Sequence, residues 1–206
     1  AQTAIEQGYF SDEITPVTVK TRKGEHEVSI DEQPGNANIE KIPHMRPAFK
    51  KDGTVTAANA SSISDGASAL VLMKESKAQE LGLKPMARVV AHATHAQHPS
   101  EFPVAPIGSV HKVLEKASWA MGDVDLFEIN EAFAMVVLLA MRELGLDHGN
   151  VNVNGGACAL GHPIGSSGSR IIVTLLYALQ RLGKERGIAS LCIGGGEASA
   201  VALEMI

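Results

Sequence analysis

The chain has 206 residues, of which 45% are hydrophobic and 20% are charged, as in an ordinary soluble globular protein of one large or two small domains. Its formal net charge of −5 and its aromatic content of 4% argue against a general nucleic-acid-binding protein, which would carry a basic field and stacking platforms. Two cysteines, Cys158 and Cys192, are too few for a disulfide framework and show no CxxC spacing for zinc.

Reduced thiols fit a cytoplasmic protein, and nothing in the composition indicates a metal site. The longest apolar run, Ala132–Met141, is about half as long as a bilayer requires. The first ten residues lack the basic region and apolar core of a signal peptide, so we expect a cytoplasmic location.

The first half of the chain begins with polar residues and becomes apolar after residue 66. Val17–Lys20 and Glu27–Ile30 flank the turn RKGE and predict a hairpin. The apolar run Ala67–Met73 predicts a strand that is buried on both faces. A short helix is expected at Glu75–Leu81, ending at a glycine, and a further strand is expected at Ala87–Thr94.

The second half alternates between helical and strand patterns. Apolar residues recur at helical spacing over 107–117, and Leu126–Ile129 predicts a short strand. The helix expected within Ala132–Leu144 is apolar almost all round, which predicts burial between two layers. A helical stripe over 172–182 precedes two strands joined by GGGE. This order predicts an α/β domain with a mixed sheet and helices on both faces.

A glycine-rich stretch, NGGACALGHPIGSSGSR, surrounds His162 with small residues. It could be a flexible solvated loop, a phosphate cradle or a turn that holds the imidazole at a point of close approach. The chain has neither GxxxxGK[ST] nor GxGxxG after a strand, which argues against a nucleotide loop. Gly161 and Pro163 restrict the backbone on both sides of His162, and apolar residues interrupt the stretch. We therefore favour a rigidly presented imidazole.

Two further turns carry side chains that are capable of chemistry. Cys192 ends an apolar strand before three glycines, and it is either an inert core residue or a reactive thiol beside free backbone amides. Asn130, in NEAFA, is either a helix N-cap or an amide that positions a water or a substrate oxygen. We interpret Cys158 as a packing residue. For each residue taken alone, the structural interpretation is as good as the catalytic one. The three turns taken together favour a catalytic site.

The motifs NEAFA, NGGACALGHPIGSSGSR and CIGGGEA, with VTAANASSISDGASAL upstream, closely resemble the C-terminal half of thiolases, most of all the bacterial acetyl-CoA acetyltransferases or β-ketothiolases. The resemblance implies one half of a layered αβαβα fold, in which two similar halves stack around central helices. By this likeness residues 1–63 are part of a loop domain, residues 64–82 are the last strand and helix of the N-terminal half, and residues 83–206 are the C-terminal thiolase domain.

The resemblance also implies Claisen condensation of two acyl-CoA thioesters or the thiolytic reverse. His162 would activate a nucleophilic thiol and donate a hydrogen bond to a thioester oxygen. Cys192 would remove and return the α-proton, and Gly194 would supply a backbone amide to an oxyanion hole. Asn130 would hold a water that completes a second oxyanion site with His162. An enolate needs such a nearby proton acceptor and fixed donors.

Coenzyme A and its thioesters are the implied partners, with no metal, flavin or nicotinamide cofactor and no nucleic acid or membrane. The residues that would contact the pantetheine arm and adenosine or form apolar walls are Ser61, Ala57, Ala60, Phe49, Ala132 and Phe133. Thiolases are commonly dimers or tetramers, so we expect a homo-oligomer.

This chain departs from the thiolase pattern because it has no Cys-Ser/Ala-Ser motif for the acyl-enzyme. We therefore expect a fragment that lacks ketothiolase activity by itself. In the stretch HPSEFPVAP, Phe102 would reshape the acyl pocket. The alternatives are a cysteine hydrolase that uses Cys192 with His162, and a non-catalytic module that binds coenzyme A or drives oligomerisation.

Overall fold

The computed structural model describes residues 1–206, and its main feature is a four-stranded mixed sheet. The strand order is β3 (Ala87–Ala96), β6 (Glu197–Met205), β5 (Arg186–Ile193) and β4 (Leu126–Ile129). β6 is antiparallel to both of its neighbours, whereas β4 and β5 are parallel. The predicted mixed sheet is therefore confirmed.

The last two strands form the predicted hairpin around the three glycines. Cys192 pairs with Ala198 and Ile193 with Glu197, so the turn occupies residues 194–196. Gly196 has a φ of +96°, and a side chain there would run into the backbone carbonyl of Gln97. Only glycine fits this turn without strain.

Helices cover both faces of the sheet, as expected. On one face, α3 (Ala105–Ala117) buries Val110, Val113 and Leu114, whose spacing places them on one helical stripe. On the other face, α6 (Ser167–Leu182) packs a second apolar cluster that includes Leu175 and Leu179. Full burial of one such side chain contributes roughly 1.5–3 kcal/mol.

α4 (Ala134–Leu144) is buried on only one face, so the prediction of burial all round is wrong. Val136 and Ala140 are buried against α3 and the sheet, but Leu138 is 63% exposed. The reason is that no second layer of this chain packs against the outer side of the helix. Gly145 ends the helix in the left-handed conformation.

The N-terminal region is a loose assembly of short elements. It contains α1 (Gln2–Glu6) and the predicted hairpin of β1 (Val17–Thr21) and β2 (Gly24–Val28). All residues of the two hairpin strands are exposed. Two 3₁₀ turns follow, at Pro34–Asn36 and Ile39–His44. α1 had no counterpart among the predicted elements.

The strand predicted at Ala67–Met73 is wrong. The segment has no sheet partner, and Val71 and Leu72 are 87% and 71% exposed. A strand requires a neighbour for its backbone N–H and C=O groups, and none of these 206 residues provides one. The helix after it is confirmed as α2 (Glu75–Glu80), followed by Gly82 at a φ of +66°.

No helix of the chain has both the length and the apolar character needed to cross a membrane. The remaining regular elements are α5 (Ala157–Leu160) and three short 3₁₀ helices, at Pro99–Val104, Met121–Asp123 and His148–Asn150.

Candidate active site

Asn130 directly follows β4, at the carboxyl end of the parallel pair. Its backbone N–H donates a hydrogen bond of 2.9 Å to the carbonyl of Ser190 on β5, and Cys192 lies two residues further along the same strand. Asn130 is not the cap of α4, because the helix begins at Ala134 with Phe133 as its N-cap residue. The carboxyl ends of parallel strands are where open α/β sheets bind ligands.

His162 lies in the turn between α5 and α6. Gly161 before it has a φ of +83°, and a side chain there would collide with the Ser64 hydroxyl. The His162 N–H donates to the carbonyl of Ser62 at 2.9 Å, and Ile63 bridges to His162 in parallel register. The backbone around the imidazole is therefore held on both sides, as the glycine-rich stretch predicts.

The side chains of Asn130 and His162 meet. Asn130 Nδ2 lies 3.4 Å from His162 Nε2, while Asn130 Oδ1 is buried without a hydrogen-bond partner. A buried amide oxygen without a partner is costly, so such a group marks a site that needs an additional ligand or water. Two of the predicted catalytic residues are thus adjacent, and Cys192 lies on the strand beside them.

Residues 59–63 form a strip of backbone that joins these turns. The Ser61 N–H and hydroxyl both donate to the carbonyl of Ala132, at 3.2 and 3.0 Å. Ala60 bridges to Phe133, whose ring lies 6.2 Å from the ring of Phe102. Four of the residues predicted to contact coenzyme A or an acyl chain are therefore joined to the same loop as Asn130.

The other two predicted contact residues lie outside this strip. Phe49 is 76% exposed in the loop between the second 3₁₀ turn and residue 55, and Ala57 is also exposed. Neither takes part in the hydrogen bonds and bridges that join residues 59–63 to the turns of Asn130 and His162. The geometry brings together Ser61, Ala60, Ala132 and Phe133 without them.

Cys192 is 8% exposed, and burial raises the pKa of its thiol. Gly194, two residues later, is exposed, and its backbone N–H has no hydrogen-bond partner within the chain. Added bulk at Gly194 would meet nothing within 4 Å, so open space adjoins this amide. A buried thiol and a free backbone donor therefore lie at the same end of β5.

Cys158 is half-buried in α5 and differs from Cys192 in its surroundings. Burial, together with the adjacent Glu131 carboxylate, raises the pKa of its thiol to about 12. The Cys158 Sγ points at the backbone carbonyl of Glu131 at 3.8 Å. A thiol that is protonated so strongly is inert as a nucleophile, which agrees with its interpretation as a packing residue.

Burial, with a smaller contribution from the positive charge of Arg170, lowers the pKa of His162. The imidazole is therefore neutral at pH 7 and able to accept a proton. The Cys192 thiol, whose pKa is raised, is protonated at the same pH. The two side chains do not form the thiolate–imidazolium pair on which papain-like cysteine hydrolases depend.

A hydrogen-bond network that was not predicted from the sequence lies next to Asn130. The Glu131 carboxylate accepts hydrogen bonds from the Cys158 N–H at 3.0 Å and from Asn152 Nδ2 at 3.1 Å. A side chain at Gly156 would overlap this carboxylate. The Asn152 amide also bonds both the N–H and the C=O of Ile129 at 2.8 Å, extending the pairing of β4. The acidic residue inside NEAFA is the one signal that pointed to this network.

Buried ionisable side chains also lie close to the site, on β4 and the segments packed against it. Glu128 is 2% exposed, and burial raises its pKa to about 8. Arg170 Nη1 approaches Glu128 Oε2 at 3.7 Å, and Glu13 accepts a hydrogen bond from Thr174 at 3.0 Å. No group of three or more His, Cys, Asp or Glu side chains is arranged to hold a metal ion. An acidic residue inside a strand with an apolar pattern gave no sequence signal for this cluster.

The chain matches known proteins along its whole length. The family model described as "Thiolase, C-terminal domain" matches residues 83–205, and that of "Thiolase, N-terminal domain" matches residues 1–76. The acetyl-CoA acetyltransferase of Paracoccus denitrificans is 50% identical over 205 residues, which are 99% of this chain and 52% of that protein.

Solved structures agree with this result. The Bacillus anthracis acetyl-CoA acetyltransferase has a TM-score of 0.96 at 49% identity, covering 100% of this chain and 52% of that one. Acat5 thiolase from Ascaris suum, solved in complex with coenzyme A, has a TM-score of 0.92 at 43% identity with the same coverage. The chain spans about half the length of the relatives it matches. It belongs to the thiolase family.

Proposed function

We propose that this chain carries part of the active site of an acyl-CoA C-acyltransferase, an acetyl-CoA C-acetyltransferase or 3-ketoacyl-CoA thiolase. Such an enzyme condenses two acyl-CoA thioesters or cleaves a 3-ketoacyl-CoA with coenzyme A. The observation that carries the proposal is the 3.4 Å approach of Asn130 Nδ2 to His162 Nε2, at the end of the strand next to the one that holds Cys192.

His162 and Asn130 are proposed to stabilise the oxyanion of an enolate. Removing the α-proton of a thioester places negative charge on the carbonyl oxygen, and fixed donors at that position lower the barrier. Asn130, with its partnerless Oδ1, supports the binding of one water between its amide and the substrate. His162 first accepts the proton of a nucleophilic thiol on Nε2, because its lowered pKa keeps the imidazole neutral, and the Nε2–H that forms then donates to the enolate oxygen.

Cys192 is proposed to be the base that removes the α-proton. The thiolate would take the proton, the C–H electron pair would form the enolate, and the same thiol would later return the proton. The raised pKa of Cys192 makes the thiolate, once formed, a stronger base. The free N–H of Gly194 would donate to a thioester oxygen in a second oxyanion hole.

Coenzyme A is proposed to lie along residues 57–61 and the loop of Ala132 and Phe133. Support comes from the hydrogen bonds of Ser61 to Ala132, which leave a continuous backbone surface beside the catalytic turns. The relative from Ascaris suum was solved with coenzyme A. Phe49 and Ala57 are proposed as further coenzyme A contacts. We also propose a cytoplasmic location and a homo-oligomeric assembly.

These 206 residues contain no thiol suited to form an acyl-enzyme. Cys158 is held protonated, and Cys192 is assigned to proton transfer. We therefore expect no thiolysis of acetoacetyl-CoA by this chain alone, measured as loss of its enolate absorbance in the presence of coenzyme A. Robust turnover would refute the argument that the nucleophile is missing.

Proton removal can be tested separately from thiolysis. Acetyl-CoA incubated with the chain in D₂O should exchange its methyl protons, detected by NMR or mass spectrometry. Exchange should be lost in Cys192→Ala and retained in Cys158→Ala, which removes the other thiol. If Cys192→Ala exchanges as fast as the unmodified chain, Cys192 is not the base.

The same samples test the two alternative functions. A cysteine hydrolase would give an acyl adduct on Cys192 that mass spectrometry detects, and a protonated Cys192 beside a neutral His162 argues against it. A non-catalytic module would bind coenzyme A in calorimetry but leave the methyl protons of acetyl-CoA unexchanged.

A further inference from the structure

Ser167 makes the shortest side-chain contact to the imidazole of His162. Its Oγ lies 2.6 Å from His162 Nδ1 and 3.1 Å from the carbonyl oxygen of Pro163. The residue is fully buried at the first position of α6. A buried hydroxyl with two neighbours at hydrogen-bond distance has its orientation set by which of them is a donor.

The donor and the acceptor in each of these contacts follow from the protons that each group carries. Asn130 Nδ2 can only donate, so His162 Nε2, 3.4 Å away, must accept with its lone pair. A neutral imidazole then carries its single proton on Nδ1, which donates to Ser167 Oγ. The Ser167 hydroxyl in turn donates to the Pro163 carbonyl. Every donor in the series has one acceptor.

We propose that Ser167 is a positioning residue that holds neutral His162 as the Nδ1–H tautomer, with Nε2 unprotonated and directed towards Asn130 and the substrate. The functional meaning rests on the proposed function, because Nε2 is the atom that would accept the proton of a nucleophilic thiol. The hydrogen bond made by one ring nitrogen of a histidine commonly determines which nitrogen carries the proton, and therefore which one is free to react.

The other serine of α6, Ser169, does not share this role. Ser169 Oγ donates to the Ser166 carbonyl at 3.0 Å and contacts Ser68 Oγ at 2.6 Å. Neither contact involves the imidazole. Ser169→Ala is therefore a matched control, since it removes a partly buried hydroxyl from the first turn of α6 and leaves the contact to His162 in place.

The test is the tautomeric state of His162 in the full chain, read from long-range proton–nitrogen NMR spectra of histidine labelled with ¹⁵N. His162→Gln assigns the signals among the eight histidines. In the unmodified chain Nδ1 should resonate as a protonated nitrogen and Nε2 as an unprotonated one. Ser167→Ala should convert His162 mostly to the Nε2–H form that free histidine prefers, while Ser167→Thr, which keeps a hydroxyl, should restore Nδ1–H.

The proposal is overturned if His162 in the unmodified chain is the Nε2–H tautomer. It is equally overturned if Ser167→Ala leaves the tautomer unchanged, or if Ser169→Ala alters it as much. Circular dichroism of each variant confirms the fold. Because the measurement needs no turnover, its result does not depend on the proposed function. The deuterium exchange of acetyl-CoA tests that function separately.

Discussion

Asn130 and His162 are 32 residues apart in the chain, yet their side chains lie 3.4 Å from each other. Asn130 follows β4, His162 follows α5, and no regular element contains both. Backbone bonds to residues 59–63 hold the two turns side by side. The site therefore depends on long-range contacts among three segments, each of which is restricted by its own local sequence.

Replacing Asn130 by Ala should slow the exchange of acetyl-CoA protons by about 10²–10³-fold, the usual cost of removing one oxyanion donor. Its backbone bond to Ser190 would remain, so the free energy of unfolding should change less than the rate. Asn150→Ala, at an exposed position, is the control. Equal exchange rates in both variants would exclude Asn130 from the oxyanion site.

Replacing Gly161 by Ala should lower the free energy of unfolding by roughly 1–3 kcal/mol. The residue has a φ of +83°, and the new methyl group would collide with the Ser64 hydroxyl and displace the strip that pairs with His162. Gly165→Ala is matched to it, because a methyl group there meets nothing within 4 Å. Urea unfolding of the two variants measures the difference, and similar losses would contradict the steric argument.

Stability should fall as the pH rises towards 8. Burial raises the pKa of Glu128 to about 8, far above that of an unfolded glutamate, so between these values only the folded chain keeps the proton. The contribution of Glu128 to the free energy of unfolding is fully present below the pKa of an unfolded glutamate. It falls by at most about 5 kcal/mol as the pH rises from that value to about 8. Urea unfolding from pH 5 to pH 8 checks it.

Glu128→Gln should flatten this pH profile, because an amide cannot ionise. Glu143→Gln, on the surface beside Arg142, should leave the profile as it is. A profile that keeps its full slope in Glu128→Gln would assign the effect to another group, of which Glu13 is the first candidate because burial also raises its pKa.

Self-association should depend on the unpaired apolar segment at residues 67–73. Val71 and Leu72 are adjacent and largely exposed, and contiguous apolar surface promotes association. The double variant Val71→Ser, Leu72→Ser should sediment as smaller species at high concentration. The same change at Ile30 and Ile39, exposed residues that stand singly between polar neighbours, should have less effect.

Local patterns predicted most of the regular elements correctly. Apolar spacing located α3 and α6, the glycine triplet located the β5–β6 hairpin, and the small residues around His162 indicated a rigid turn. These features depend on residues that are close in the chain. The order of residues therefore shows the period of a helix or the residue types that a turn requires.

The errors came from features that depend on distant partners. The apolar run Ala67–Met73 has the composition of a buried strand, but pairing and burial need a neighbour that composition does not reveal. The same holds for the exposed face of α4. Ser167 and Glu131 were missed because a serine at a helix start and an acid in a loop are common, and only the fold brings Ser167 to His162 and the backbone of Cys158 to the Glu131 carboxylate.

The strip of residues 59–63 couples the two polar side chains mechanically. Ser61 is bonded to the loop after Asn130, and Ser62 and Ile63 are bonded to His162. The Asn130 N–H is also bonded to the Ser190 carbonyl on β5, the strand that carries Cys192. The amide, the imidazole and the thiol are therefore fixed to one connected backbone framework, so a substrate that enters meets a spacing that is already set.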